Sequence, residues 1–184
     1  NPWNPTRSAG GSSGGAAVAL ACGSVSLADG SDLGGSLRNP ASFNNIVGYR
    51  PTAGVIKGSP VDDPRIQQPT EGPMGRTVAD VTMFLGAMLE APISPLPSSR
   101  SPRVAFSPDL GDLPLDPAVR SATHRAAEAL ADAGWEIIEA CPDLAGVDAC
   151  FEDIRGFSAA LQNAALVDDV RLKATVRYEI DLGL

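Results

Sequence analysis

The chain of 184 residues is 43% hydrophobic and 20% charged, the balance of a globular protein with room for one substantial core. Its net charge of −8, with no basic cluster, argues against a nucleic-acid surface, and no apolar run reaches the length of a membrane span. The three cysteines, Cys22, Cys141 and Cys150, contain no Cys-x-x-Cys pair, which sets zinc and redox motifs aside; an odd count fits a reducing, cytoplasmic compartment.

The opening Asn1-Pro2-Trp3 has neither the basic start nor the apolar core of a signal peptide. With no initiator methionine, and a helical pattern running into Leu184, the expectation is a piece of a longer protein. Asn1 to Ala9, with Pro2 and Pro5, predicts an extended approach. Ala16 to Cys22 is apolar on every side and predicts a buried helix stopped by Gly23, with Cys22 a small buried residue. Ser24 to Asp29 predicts a short strand, Asp32 to Ser36 a tight turn, and Leu37-Arg38 a helical turn closed by Pro40. Asn44 to Tyr49 predicts a strand or a packed loop, and Pro51 to Ile56 a turn followed by a short strand. Four prolines between Lys57 and Pro73 predict a surface loop.

Val78 to Leu89 predicts a helix capped by Thr77, with Val78, Val81, Thr82, Leu85, Met88 and Leu89 on one face. A proline-rich linker spans 91–102. Arg103 to Phe106 predicts a strand, Asp116-Pro117 starts a helix to Ala133, and Trp135 to Glu139 predicts a second strand, together a β-α-β unit. Val147 to Ala165 and Arg171 to Leu182 predict two further helices. The expectation is one domain over 1–184, itself a fragment of a larger one.

The chemistry gathers in two serine-bearing glycine turns, Gly10-Gly11-Ser12-Ser13-Gly14-Gly15 and Asp32-Leu33-Gly34-Gly35-Ser36-Leu37-Arg38-Asn39-Pro40. A serine needs a base to act as a nucleophile at neutral pH, and consecutive glycines let bare N–H groups approach a reacting atom. This is the layout of an acyl-transfer site.

The two motifs, with Ser12 and Ser36 standing 24 positions apart (12 to 36), resemble the amidase signature family of serine hydrolases. The resemblance continues through Phe43-Asn44-Asn45-Ile46-Val47-Gly48-Tyr49-Arg50-Pro51-Thr52 and Gly72-Pro73-Met74-Gly75-Arg76-Thr77-Val78-Ala79-Asp80. It implies an α/β fold, a mixed β-sheet covered by helices, incomplete in this chain. It implies Ser36 as nucleophile and Ser12, after a cis peptide bond, as the bridge to a lysine base. It also implies an oxyanion hole from the N–H groups of Leu33, Gly34, Gly35 and Ser36. Asp32 and Arg38 are read as an ion pair or as hydrogen-bonding braces, with Ser13 as loop support. The lysine is not at the family's position: the chain's lysines are Lys57 and Lys173, both read as solvated surface charges.

Other readings are weaker. A Gly-x-Ser-x-Gly elbow needs a preceding strand and a histidine base, but the only histidine, His124, falls away from the apolar stripe of its helix. A phosphate loop needs Lys-Ser or Lys-Thr after the glycines. A flexible linker is opposed by the apolar run that follows Gly15. The expectation is a cytoplasmic amide hydrolase without metal or cofactor, acting on a small-molecule amide through an acyl-enzyme and releasing ammonia or an amine. This chain alone is expected to be inactive. The alternatives are a transamidating glutaminase subunit of the same family, or a truncated non-catalytic relative serving as a binding or scaffold protein. The expected partners are a second copy in a homodimer or a complementing segment of the same polypeptide, with no nucleic acid and no membrane.

Overall fold

The computed structural model describes residues 1–56, 68–94, 101–111 and 113–184. They fall into two compact units, Asn1–Pro95 and Leu96–Leu184, which meet within the segment expected as a linker. Lys57 and most of the expected proline-rich loop lie outside the described residues.

The first unit is built on a three-stranded antiparallel sheet in the order β1-β3-β2, formed by β1 (Ala28–Asp32), β2 (Val47–Gly48) and β3 (Thr70–Gly75). Three helices accompany it: α1 (Gly14–Ala21), α2 (Arg38–Phe43) and α3 (Val78–Met88). Ala17 and Leu20 of α1, Leu37 and Ala41 around α2, and Met74 of β3 make one buried cluster. Leu20 and Leu37 are fully buried, each contributing about 1.5–3 kcal/mol of transfer free energy.

Several expectations give way here. The first strand begins at Ala28 rather than Ser24, so Asp32 ends a strand instead of opening a turn. Pro40 does not close a helical turn; it sits inside the first turn of α2, where no intrahelical N–H is needed. Val55 and Ile56 form no strand.

The largest departure is β3, since the Thr70 to Pro73 part of the expected loop is the central strand. Its proline is accommodated because a strand residue's N and C=O face the same neighbour. The Pro73 carbonyl accepts the Tyr49 N–H at 3.1 Å, so the missing donor faces the two-residue β2 and the pairing with β1 loses nothing. Cys22 is exposed rather than buried. On α3 the buried residue is Val81, whereas Val78 and Thr82 face solvent. Its N-terminus is closed by a capping box between Thr77 and Asp80.

In the second unit β4 (Arg103–Phe106) and β5 (Glu136–Glu139) pair in parallel, joined through α4 (Pro117–Asp132) as the β-α-β pattern predicts. The Asp116 side chain caps α4 by accepting the Ala118 N–H at 2.7 Å. His124 is exposed, as expected, with its ring edge-on to Phe106 at 5.1 Å. Helices α5 (Val147–Asn163) and α6 (Ala174–Gly183) pack closely where Gly156 meets Gly183.

Candidate active site

Asp32, the last residue of β1, is fully buried and organises the turn that follows it. Its Oδ1 accepts the Gly35 N–H at 2.7 Å and Arg38 Nη2 at 3.0 Å. Its Oδ2 accepts Arg38 Nε at 2.9 Å and the main-chain N–H groups of Arg38 and Leu37 at 3.3 and 3.4 Å. Leu37, in the core cluster, fixes the far end. The backbone from Leu33 to Ser36 is therefore held from both sides. Gly35 takes φ +109°, and a Cβ there would stand 2.8 Å from Asn39 Nδ2, so a side chain meets both strain and a clash.

This arrangement divides the four amides implied for an oxyanion hole. The Gly35 N–H donates to Asp32. The N–H groups of Leu33, Gly34 and Ser36 have no hydrogen-bond partner among the described residues. Of the four implied donors, the Gly35 amide is the one that ties the turn to Asp32.

The first serine turn is placed by a different set of bonds. Asn44 Nδ2 donates to the carbonyls of Ala9 at 2.7 Å and Pro40 at 2.8 Å, tying the approach segment to α2. The Gly11–Ser12 peptide bond is cis. The Ser13 N–H donates to the Ser36 carbonyl at 3.1 Å, which joins the two turns directly through the main chain. Ser13 Oγ accepts the Ser31 N–H at 3.3 Å and donates to the Ser31 carbonyl at 3.5 Å. Gly30 lies against it: a Cβ there would come within 2.7 Å of Ser13 Oγ. Ser12 is exposed and Ser36 partly buried, and no hydrogen bond joins their hydroxyls.

Burial pushes the Asp32 carboxyl towards the neutral form, but the Arg38 side chain and the Gly35 and Arg38 amides outweigh it. The carboxyl is held well below the usual carboxylate range, so Asp32 is a fixed anion and no proton carrier. A second cation, which the sequence does not single out, stands beside it. Arg50 Nε lies 3.4 Å from Asp32 Oδ1, and its Nη2 donates to the Gln68 carbonyl at 2.6 Å. The bracing role of Asn44 is likewise invisible in the sequence. Both residues stand in the Phe43 to Thr52 stretch. The signal for Arg50 is a lone cation just before Pro51, a position where the chain is extended.

Lys173 immediately precedes α6 and belongs to the second unit. Among the described residues no cluster of three His, Cys, Asp or Glu side chains could hold a metal ion. Among them, too, no helix is long and apolar enough to cross a membrane.

The two serine turns are thus joined through the main chain, and the N–H groups of Leu33, Gly34 and Ser36 have no partner among the described residues. The Amidase family model matches residues 1–178, and the chain belongs to that family. It is 36% identical to an indoleacetamide hydrolase of Bradyrhizobium diazoefficiens over 185 aligned positions, covering 91% of this chain and 35% of that protein. It is 35% identical to a glutamyl-tRNA(Gln) amidotransferase subunit of a Cyanothece species, covering 77% of this chain and 33% of that one. The crystal structure of an amidase superposes with a TM-score of 0.86 at 30% identity, covering all of this chain and 42% of the other. The chain thus spans about a third of the length of the curated relatives it matches.

Proposed function

We propose that the polypeptide carrying these residues is an amide hydrolase with Ser36 as nucleophile. Ser36 Oγ attacks the amide carbonyl carbon, and its proton passes through Ser12 Oγ to a lysine base. The oxygen that gains negative charge is received by the N–H groups of Leu33, Gly34 and Ser36. Losing one such donor typically costs ~10²–10³ in rate. The C–N bond then breaks, the amine or ammonia leaves with a proton, and water releases the acyl group from Ser36. What carries the reading is the division of the turn: one amide is fixed by a buried carboxylate, and those of Leu33, Gly34 and Ser36 have no partner among the described residues.

The chain's two lysines are Lys57 and Lys173, neither at the family's position, so the base is assigned to the polypeptide outside these 184 residues. The 184 residues alone are expected to turn over no amide. The matching amidotransferase favours a second reading, in which the same serine chemistry releases ammonia from glutamine for a partner protein. The test is hydrolysis of a panel of simple primary and aryl amides, with glutamine included, by the full-length protein. Turnover abolished by Ser36→Ala and strongly reduced by Ser12→Ala supports the proposal. Turnover that survives Ser36→Ala overturns it, and glutamine as the only substrate selects the second reading.

A further inference from the structure

Asp32 is fully buried, and one of its carboxylate oxygens faces more than the turn it organises. Oδ1 accepts the Gly35 N–H and Arg38 Nη2, with Arg50 Nε as a third neighbour at 3.4 Å. The two arginines differ in setting. The Arg38 side chain is 55% exposed and belongs to the same turn as Gly35, so it moves with what it holds. The Arg50 side chain is 27% exposed and comes from the segment after β2. Its other end is held by the Gln68 carbonyl, two residues before β3, and Thr70 of β3 is the ladder partner of Asp32. Arg50 Nε makes no hydrogen bond, so its contact with Oδ1 is one of charge and needs no bond direction.

We propose that Arg50 is a positioning residue for the oxyanion turn: tied to the chain ahead of β3, it holds the Asp32 carboxylate that in turn holds Gly35 and aims the free amides of Leu33, Gly34 and Ser36. The inference rests on the amide-hydrolase reading. It adds that a charge outside both serine motifs sets the catalytic geometry. A small misplacement of a reacting frame can cost about 10²-fold in rate without altering ground-state binding to the same degree. Because the contact is a charge contact, a lysine serves at this position and a neutral side chain of similar size does not.

The experiment uses the full-length protein and its best amide substrate. Arg50→Lys, Arg50→Gln and Arg50→Met are compared with wild type, and kcat is expressed per folded chain counted by near-ultraviolet circular dichroism. The expected result is a kcat lowered about 10- to 100-fold in both neutral variants, KM within about twofold of wild type, and most of kcat restored by lysine. The proposal is overturned if a neutral variant keeps wild-type kcat, if the loss falls on KM alone, or if lysine is as poor as glutamine. It is also overturned if neither neutral variant yields folded protein, since the contact then serves folding. Ser36→Ala runs beside them: turnover surviving there overturns the amide-hydrolase reading itself. A dead Ser36→Ala with an unaffected Arg50→Gln overturns only the role of Arg50.

Discussion

Replacing Asp32 by asparagine keeps the shape of the side chain and removes its charge, so it isolates what the carboxylate does. With the amide oxygen at the Oδ1 position, the bonds from Gly35 and Arg38 Nη2 survive. The NH2 group then occupies the Oδ2 position, where three donors converge: Leu37 N–H, Arg38 N–H and Arg38 Nε. A donor cannot satisfy a donor. Arg38 is more than half exposed and turns to water at little cost. The two main-chain amides are not free to do so, and a buried unsatisfied N–H costs about 1–3 kcal/mol. With two such amides the expected loss is about 2–6 kcal/mol. Flipping the amide spares those two but breaks the 2.7 Å bond to Gly35. Urea unfolding of the full-length protein, wild type against Asp32→Asn, reads this as a lower midpoint with an unchanged slope. A difference below about 1 kcal/mol would refute the claim that Asp32 organises the turn.

The same carboxylate gives a pH signature. Its pKa is depressed by folding, so its contribution to stability is complete above the ordinary carboxylate value of about 4 and declines as pH falls towards the folded value. The gap between wild type and Asp32→Asn should accordingly narrow below about pH 4 in urea titrations, and a gap that stays constant down to about pH 2 would contradict the depressed pKa. Gly35→Ala, meeting φ +109° and the Asn39 side chain, should lower kcat by about 10²-fold with far less effect on KM, as steady-state kinetics will show. Thr77→Ala removes one arm of the α3 capping box and should cost about 1 kcal/mol in the same unfolding assay, with no change in kcat.

Where hydrophobic period, caps and proline placement agree, the sequence is readable. Thr77 announces α3, Asp116-Pro117 announces α4, and the apolar run after Gly15 announces α1. β3 is hidden because Pro69 and Pro73 carry the marks of a loop, and what makes Pro73 a strand residue is the shortness of β2, a tertiary fact. Pro40 misleads for a related reason: the position of a proline within a helix cannot be told until the helix start is known. Of the site, the serine turns and the Asp32–Arg38 contact are legible as motif residues. Two things are not. The use of the Gly35 amide by Asp32 depends on a backbone geometry that no composition encodes. The approach of Arg50 to Asp32 depends on the ladder that brings residues 32 and 70 together.

Covalent labelling asks most directly whether Ser36 is the residue that bonds to the acyl group. The full-length protein would be treated with a serine-reactive fluorophosphonate, digested, and the modified residue located by mass spectrometry. A single adduct on Ser36 is expected, absent in Ser36→Ala and slowed in Ser12→Ala. An adduct on Ser12 or Ser13 instead, or no adduct on a folded protein that still hydrolyses amides, would contradict Ser36 as the nucleophile.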